Sequence, residues 1–349
     1  MNFSNLAGQQ ELRLVLGRAL VENKISHAIL FTGPSGSGKK SWGKILARSI
    51  LCSNRLESGP CMECISCRSF LNGNHPDYFY LEPGGRKIKI EQLRAIRDSF
   101  YLSGGRKVCL IDQAERMTAE ASSSLLKILE DPPADMHFIL LAEQPRLLFD
   151  TILSRCQRYK LNPLSCAQIT ELLMSNKGTT AGKAALLGRI SGGLPGYAYR
   201  LADDERFEER YEEAKAAAWN LASGCDSTKK LLSLAASMSD REDLVEFLEL
   251  VCLIYRDWLV QSLGRGKEVP QHTIQPFAHQ AGKSPFPFGL EEAIMIINTV
   301  INEMMTTNVN RRLLLEKTLI LLQRRLSQCP GLSESASGRL ERHTTSSLP

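Results

Sequence analysis

The stretch "HAILFTGPSGSGKKSWGK", residues 27–44, decides the fold of this chain. A short apolar run ends at Thr32, a glycine-rich turn follows it, and the segment after the turn has helical character. Such a turn between a buried strand and a helix points several backbone N–H groups at one place, where the helix N-terminus also favours an anion. The stretch therefore predicts a phosphate-binding loop within an α/β domain.

This loop departs from the pattern of an ATPase at one position. The pattern is a glycine, four residues, a second glycine, a lysine, and then a serine or threonine whose hydroxyl binds Mg²⁺. Gly33, Gly38 and Lys39 fit the pattern, but Lys40 stands in place of the hydroxyl. Ser41 comes one residue later, about 100° further around the helix, and should not replace it. A nucleotide pocket is therefore expected, with Mg²⁺ binding in doubt.

Two later apolar runs end in residues that belong to the same site. "KVCLID" ends in Asp112, the expected partner of Mg²⁺, but Gln113 stands where an ATPase usually has a glutamate that polarises water. After "FILLA", Glu143 stands near the position of a neutral phosphate sensor, and its charge would be unfavourable there if it pointed inward. These departures predict little or no hydrolysis of ATP. The candidate residues for binding ATP or ADP are Gly33, Gly36, Gly38, Lys39, Lys40, Ser41 and Asp112.

Four cysteines lie close together after the helix that follows the phosphate-binding loop. Cys52, Cys61, Cys64 and Cys67 have the spacing C-x8-C-x2-C-x2-C. Without a recognisable secretion signal, such a cluster indicates a metal site before it indicates disulfides. Four thiolates would close the coordination shell of a tetrahedral ion, which predicts a structural Zn²⁺ site. The alternative is a surface loop with free thiols that oxidise easily.

The composition sets limits on the partners of the chain. Its 349 residues suggest two or three domains, and 43 basic against 38 acidic residues give a net charge of only +5. This charge is too small to argue for nucleic-acid binding by itself. No apolar run reaches the ~18 residues of a membrane helix, and the N-terminus does not read as a signal peptide. We therefore expect a cytoplasmic protein without a membrane partner.

The pattern of apolar residues divides the chain. Four apolar runs that fit buried strands alternate with helical patterns within residues 1–163, which predicts a parallel sheet with helices on both faces. Residues 164–203 predict short helices, and residues 204–329 predict longer ones. The polar tail 330–349 is expected to be disordered. The fold class is therefore α/β followed by all-α.

Several motifs, in this order, carry a resemblance to a known family: "HAILFTGPSGSGKKS", "HPDYFYLEP", "LLKILEDPP", "ILSRCQRYKL" and "NVNRRLLLEK". With them the chain resembles the AAA+ clamp-loader family of bacterial DNA polymerase III, and within it the delta-prime subunits. The resemblance implies a RecA-like AAA+ domain over 1–163 with a zinc module at 52–67, a helical lid over 164–203 and a helical collar over 204–329.

The same resemblance implies a function within the replicative DNA polymerase III holoenzyme. Five subunits of this family assemble through their collars into a hetero-pentamer, which includes ATPase motor subunits and a clamp-opening subunit. The complex places a ring-shaped sliding clamp on primer-template DNA. This chain is then expected to help load the clamp, and to have no ATPase activity of its own.

The resemblance also implies roles for two single positions. Arg155, in "SRC", matches an arginine finger that acts in trans on the ATP of a neighbouring subunit, whereas a lone arginine would read as a solvated residue at a strand start. Gly196 stands where active relatives carry a lid arginine.

Two other functions stay open at this point. The first is an active ATP-hydrolysing motor subunit of the same machine, against which Lys40, Gln113 and Gly196 all argue. The second is a stand-alone zinc- and DNA-binding adaptor, which the modest net charge disfavours.

Overall fold

The chain divides into two compact units, Met1–Asp204 and Glu205–Pro349. The predicted disordered tail, 330–349, lies outside the described residues. The residues described in this computed structural model are 2–3, 6–101, 104–222, 228–262, 289–307 and 309–326.

The first unit is built around a parallel sheet of five strands in the order β2-β3-β4-β1-β5. The three inner strands, β3, β4 and β1, are almost wholly buried, as expected of strands that are covered on both faces. The predicted parallel sheet is thereby confirmed. The strands are β1 Ala28–Thr32, β2 Tyr78–Leu81, β3 Lys107–Ile111, β4 Met136–Ala142 and β5 Gln157–Lys160.

Two apolar clusters cover the two faces of the sheet. Side chains alternate along a strand, so Leu30 joins one cluster while Ile29 and Phe31 join the other. The cluster of Leu30 includes residues of α4 and α5, and the cluster of Phe31 includes residues of α1 and α2. The helices of this unit are α1 Gln10–Val21, α2 Lys39–Leu51, α3 Ile65–Leu71, α4 Ile90–Phe100, α5 Ala119–Glu130, α6 Asp150–Leu153, α7 Cys166–Lys177, α8 Ala181–Ile190 and α9 Pro195–Asp203.

One strand of the sheet is absent from the sequence-based prediction. The edge strand β2 has only four residues, "YFYL", of which Leu81 alone is buried. A strand this short gives little periodicity, and its parallel pairing with β3 is a tertiary contact that local sequence does not specify. β2 matters for the site because Tyr80 lies in it and Glu82 follows it directly.

The described part of the second unit is entirely helical, which confirms the all-α part of the fold class. Its core includes Tyr255 and Trp258, both fully buried, and the Tyr255 hydroxyl donates a hydrogen bond to the carbonyl of Ala218 at 3.2 Å. Within the described residues of the chain, no helix is long and apolar enough to cross a membrane. The helices of this unit are α10 Phe207–Ala222, α11 Thr228–Ser239, α12 Leu244–Ser262, α13 Leu290–Thr306 and α14 Arg311–Leu326.

Candidate functional site

The sheet brings three predicted parts of the nucleotide site to one edge. The loop 33–38 follows β1, Asp112 follows β3, and Glu143 follows β4. Because β3, β4 and β1 are parallel neighbours, their carboxyl ends meet at the same edge. Ligands in open α/β sheets bind in crevices at this edge, which makes it the candidate nucleotide site.

The loop has the backbone that its glycines predict. Gly36 and Gly38 have φ angles of 76° and 91°, a region that residues with a Cβ rarely enter. α2 begins at Lys39, whose ammonium folds back and donates to the carbonyls of Gly33 at 2.8 Å and Pro34 at 2.9 Å. Burial lowers the pKa of Lys39, and the nearby Glu143 opposes that effect.

Glu143 does point into the site. Its carboxylate lies 3.6 Å from the ammonium of Lys39, and its backbone N–H donates to a carboxylate oxygen of Glu115 at 3.0 Å. The lysine of a phosphate-binding loop contacts the outer phosphates of the nucleotide. The carboxylate of Glu143 therefore lies next to the place that an outer phosphate would take.

Lys40 points at the expected magnesium partner. Its ammonium lies 3.2 Å from the carboxylate of Asp112 and 3.7 Å from that of Glu82. The hydroxyl oxygen of Tyr80 lies 2.9 Å from each of the same two carboxylates and can donate its one proton to either, and the Lys40 ammonium lies 4.9 Å from the centre of the Tyr80 ring. These residues do not fit a magnesium ion, because the ammonium of Lys40 already neutralises Asp112 and stands where the loop would offer a serine or threonine hydroxyl.

A cavity of about 110 Å³ lies beside the loop. Its walls are mostly apolar, with few polar groups. The hydroxyl of Ser37 is buried here and has no hydrogen-bond partner within the described part of the chain. The lining residues are Leu6, Ala7, Gln9, Ser37, Gly38, Ser41, Trp42, Leu164, Leu172, Pro195, Gly196 and Tyr199.

Gly196 touches the loop directly. Its N–H donates to the carbonyl of Gly36 at 2.8 Å, and a Cβ at position 196 would lie 3.0 Å from the Cα of Gly36. Real Cβ atoms rarely come this close to backbone. An arginine at this position would therefore press its Cβ against the backbone of the loop.

The four predicted cysteine ligands come together. Cys52 follows α2, Cys64 and Cys67 lie at the start of α3, and all four sulfur atoms lie within 4.8 Å of one another. The sulfurs of Cys52 and Cys61 are 3.5 Å apart, and those of Cys52 and Cys64 are 3.9 Å apart. Four ligands on a tetrahedron with Zn–S bonds of about 2.3 Å would be ~3.8 Å apart, whereas a disulfide needs about 2.05 Å. The cluster can hold a metal ion.

The pKa values of two of these cysteine thiols are shifted in opposite directions by their surroundings. Burial disfavours the thiolate of Cys64, but the backbone N–H groups of Cys67 and Ser53 outweigh it and lower its pKa to about 6. Burial raises the pKa of Cys52 to about 12. A bound dication would deprotonate such a buried thiol and stabilise its thiolate, so the donor set fits zinc.

Arg155 lies in the turn between α6 and β5. Its guanidinium donates to the carbonyl of Thr151 at 2.9 Å and to the carboxylate of Glu130 at 2.8 Å. Since β5 runs parallel to β1, with Lys160 opposite Thr32, Arg155 lies at the amino edge of the sheet. The loop lies at the carboxyl edge, about six residues or ~20 Å along the strand direction. Arg155 and its own nucleotide site are therefore at opposite ends of the sheet.

Sequence reasoning missed several residues of these sites, among them Tyr80, Glu82, Glu115 and Glu130. Tyr80 and Glu82 lie in the quoted motif "HPDYFYLEP", and Glu130 lies in "LLKILEDPP". The motifs were informative signals, but each role depends on a partner far away in the sequence.

Comparison with known proteins places these features in a family. The family model described as "DNA polymerase III, delta subunit" matches residues 8–165. DNA polymerase III subunit delta' of Yersinia pestis is 31% identical over 318 residues, which cover 86% of this chain and 90% of that protein. The delta' subunit of Bacillus subtilis is 29% identical over 340 residues, with 90% and 96% covered.

The fold can also be compared with solved structures. A DNA polymerase III gamma subunit-related protein of Thermotoga maritima superposes with a TM-score of 0.40 and 18% identity, and the match covers 90% of this chain and 99% of that one.

Proposed function

Because the chain belongs to the delta-prime family of DNA polymerase III clamp-loader subunits, we propose that it is the subunit that hydrolyses no ATP and lends Arg155 to a neighbour. The neighbour would be an ATPase subunit of the same hetero-pentamer, which also holds a clamp-opening subunit. The assembly would place a sliding clamp on primer-template DNA.

The position of Arg155 carries the proposal of action in trans. Its guanidinium lies at the opposite edge of the sheet from its own loop, and 35% of its side chain is exposed. A guanidinium is always charged, and its planar fork matches the oxygens of a phosphate. Once a neighbouring subunit presents its ATP at this edge, Arg155 can stabilise the charge that develops on the transferred phosphoryl group.

The lack of hydrolysis is supported by the residues at the carboxyl edge. The ammonium of Lys40 neutralises Asp112, Glu143 binds the loop lysine, and Gln113 is too weak a base to activate water. Gly196 lies against the loop and offers no cation to a phosphate. Each departure removes a different part of the reaction, so together they favour a silent site.

We also propose that Cys52, Cys61, Cys64 and Cys67 bind a structural Zn²⁺ ion. The ion would supply the charge that lets four neighbouring thiols ionise, and it would join the end of α2 to α3. The proposed domains are the RecA-like domain over 1–163, the lid over 164–203 and the collar over 204–329. The unit boundary after Asp204 supports the start of the collar.

The test is the DNA-stimulated ATPase rate of the reconstituted complex. Arg155→Ala should slow hydrolysis by about 10³-fold or more at the one site that it serves. Arg158→Ala, which removes an exposed arginine of the adjoining strand β5, is the matched control and should leave the rate unchanged. The chain alone should release no phosphate. Equal rates for the two variants, or turnover by the chain alone, would contradict the proposal.

A further inference from the structure

The silent site keeps the parts that bind a nucleotide. Lys39 is held by the loop carbonyls with its ammonium at the site, and the loop stands at the N-terminus of α2. The buried hydroxyl of Ser37 has no partner within the described residues, although an unsatisfied buried hydroxyl costs free energy. The cavity beside the loop, walled by Trp42 and Tyr199, offers apolar space for a flat base. These features indicate that the site still binds a ligand, although it has lost the residues for hydrolysis.

Lys40 supplies the charge that a metal ion supplies elsewhere. In an ATPase, Mg²⁺ links an acidic residue to the outer phosphates. Here the ammonium of Lys40 lies 3.2 Å from Asp112 and is steadied by the ring of Tyr80. Because the ammonium of Lys40 is part of the chain, its positive charge is at the site whether or not Mg²⁺ is in solution. A nucleotide bound beside it needs no metal to offset its charge.

Glu143 supplies the charge that a terminal phosphate supplies elsewhere. Its carboxylate lies 3.6 Å from the ammonium of Lys39, on the side of the site that β4 provides. A terminal phosphate in the same place would have to displace this carboxylate or approach it closely. Like charges that meet in this way repel each other and weaken binding. A ligand with one phosphate fewer avoids the conflict.

We propose that the cavity and loop bind a nucleoside diphosphate without a metal ion and reject the nucleoside triphosphate. In this arrangement Lys40 takes the role of the magnesium ion, and Glu143 takes the role of the missing terminal phosphate. This inference rests on the proposed function, since it describes the same silent site. It gives that site a ligand that stays bound and unreacted.

The test is calorimetric binding of ADP and ATP to the full-length chain, each with EDTA and with excess Mg²⁺. We expect ADP to bind with the same affinity in both conditions, and at least about tenfold more tightly than ATP. No measurable binding of ADP would overturn the inference. Tighter binding of ADP with Mg²⁺, or equal affinity for ATP and ADP, would overturn it as well.

Two substitutions separate the roles of the charges. Lys40→Thr restores the hydroxyl, so ADP binding should weaken in EDTA and recover with Mg²⁺. Glu143→Gln keeps the shape and removes the charge, so the affinity for ATP should rise toward that for ADP. Lys44→Thr is the control for Lys40→Thr, because it also removes a lysine near the Tyr80 ring, and it should change neither result. Melting temperatures check that each variant folds.

This test and that of the proposed function can fail independently. A chain that binds no nucleotide can still donate Arg155 to a neighbour, which leaves the ATPase result of the complex unchanged. Equally, the chain can bind ADP without a metal while Arg155→Ala leaves the ATPase rate of the complex unchanged. The two outcomes are read from different sites at opposite edges of the sheet.

Discussion

The guanidinium of Arg155 forms an ion pair with the carboxylate of Glu130 at 2.8 Å. Glu130 is the last residue of α5, and Arg155 follows α6, so the pair links two helices at the edge away from the nucleotide loop. In the free subunit the proposed finger is therefore already bound to an anion. Contact with a phosphate of a neighbouring subunit would exchange one anion for another.

Glu130→Gln tests this exchange. Exposed ion pairs contribute about 1 kcal/mol or less, so the melting temperature should change little. The DNA-stimulated ATPase rate of the complex should stay the same or rise, because the guanidinium no longer has to leave a carboxylate. Asp131→Asn removes the neighbouring carboxylate and is the matched control. A loss as severe as that of Arg155→Ala would mean that Glu130 is needed in the active complex.

The cysteine cluster predicts a metal content. The purified chain should contain one zinc ion, and Cys61→Ser should lose it and melt at a lower temperature, because metal binding contributes to folding. Cys166→Ser, which changes an exposed cysteine outside the cluster, should keep both the metal and the melting temperature. Elemental analysis and thermal melting give the answer. A metal-free chain, or a Cys61→Ser variant as stable as the parent, would rule out the zinc site.

Zinc binding should also depend on pH. Protons compete with the metal for the thiolates. The thiol of Cys52, whose pKa burial raises to about 12, must lose a proton on zinc binding at neutral pH, and below the pKa of Cys64, about 6, the thiol of Cys64 must lose one as well. The zinc affinity, measured by competition with a coloured zinc indicator, should therefore fall as the pH is lowered, and more steeply below the pKa of Cys64. An affinity that does not change with pH would argue against thiolate ligands.

The contact of Gly196 with the loop predicts a loss of stability when an arginine is introduced at this position. Gly196→Arg would press a Cβ against the backbone of Gly36 and should destabilise the chain by about 1–3 kcal/mol, without producing ATPase activity. Gly182→Ala, which adds a methyl group in open space on α8, should be neutral or stabilise by about 0.5–1 kcal/mol. Denaturant unfolding measures both. An arginine variant that is stable and hydrolyses ATP would contradict this expectation and would show that Lys40, Gln113 and Glu143 do not prevent hydrolysis by themselves.

Much of this architecture is predictable from the sequence, because the decisive signals are local. The strand, loop and helix around Gly33 and Lys39 depend on contiguous apolar and glycine patterns, and the structure has all three. The cysteines come together because three of them lie within seven residues, 61–67, and Cys52 directly follows the preceding helix, α2. Short spacing leaves few alternatives for such a segment.

The charges at the nucleotide site are harder to predict, because each pair joins distant parts of the chain. Lys40 and Asp112 meet only through the order of the strands, and Tyr80 joins them from an edge strand that lacks a strong pattern. The sequence identified Glu143 as unfavourable beside a phosphate. Its contact with Lys39 shows how the fold offsets that charge.

The most direct measurement of the central claim is the number of ATP molecules hydrolysed per complex in the first burst after DNA and clamp are added. If Arg155 serves one neighbouring site in trans, the complex with Arg155→Ala should lose one ATP from the burst compared with the parent complex, while Arg158→Ala should lose none. An unchanged burst in the Arg155→Ala complex would contradict the account.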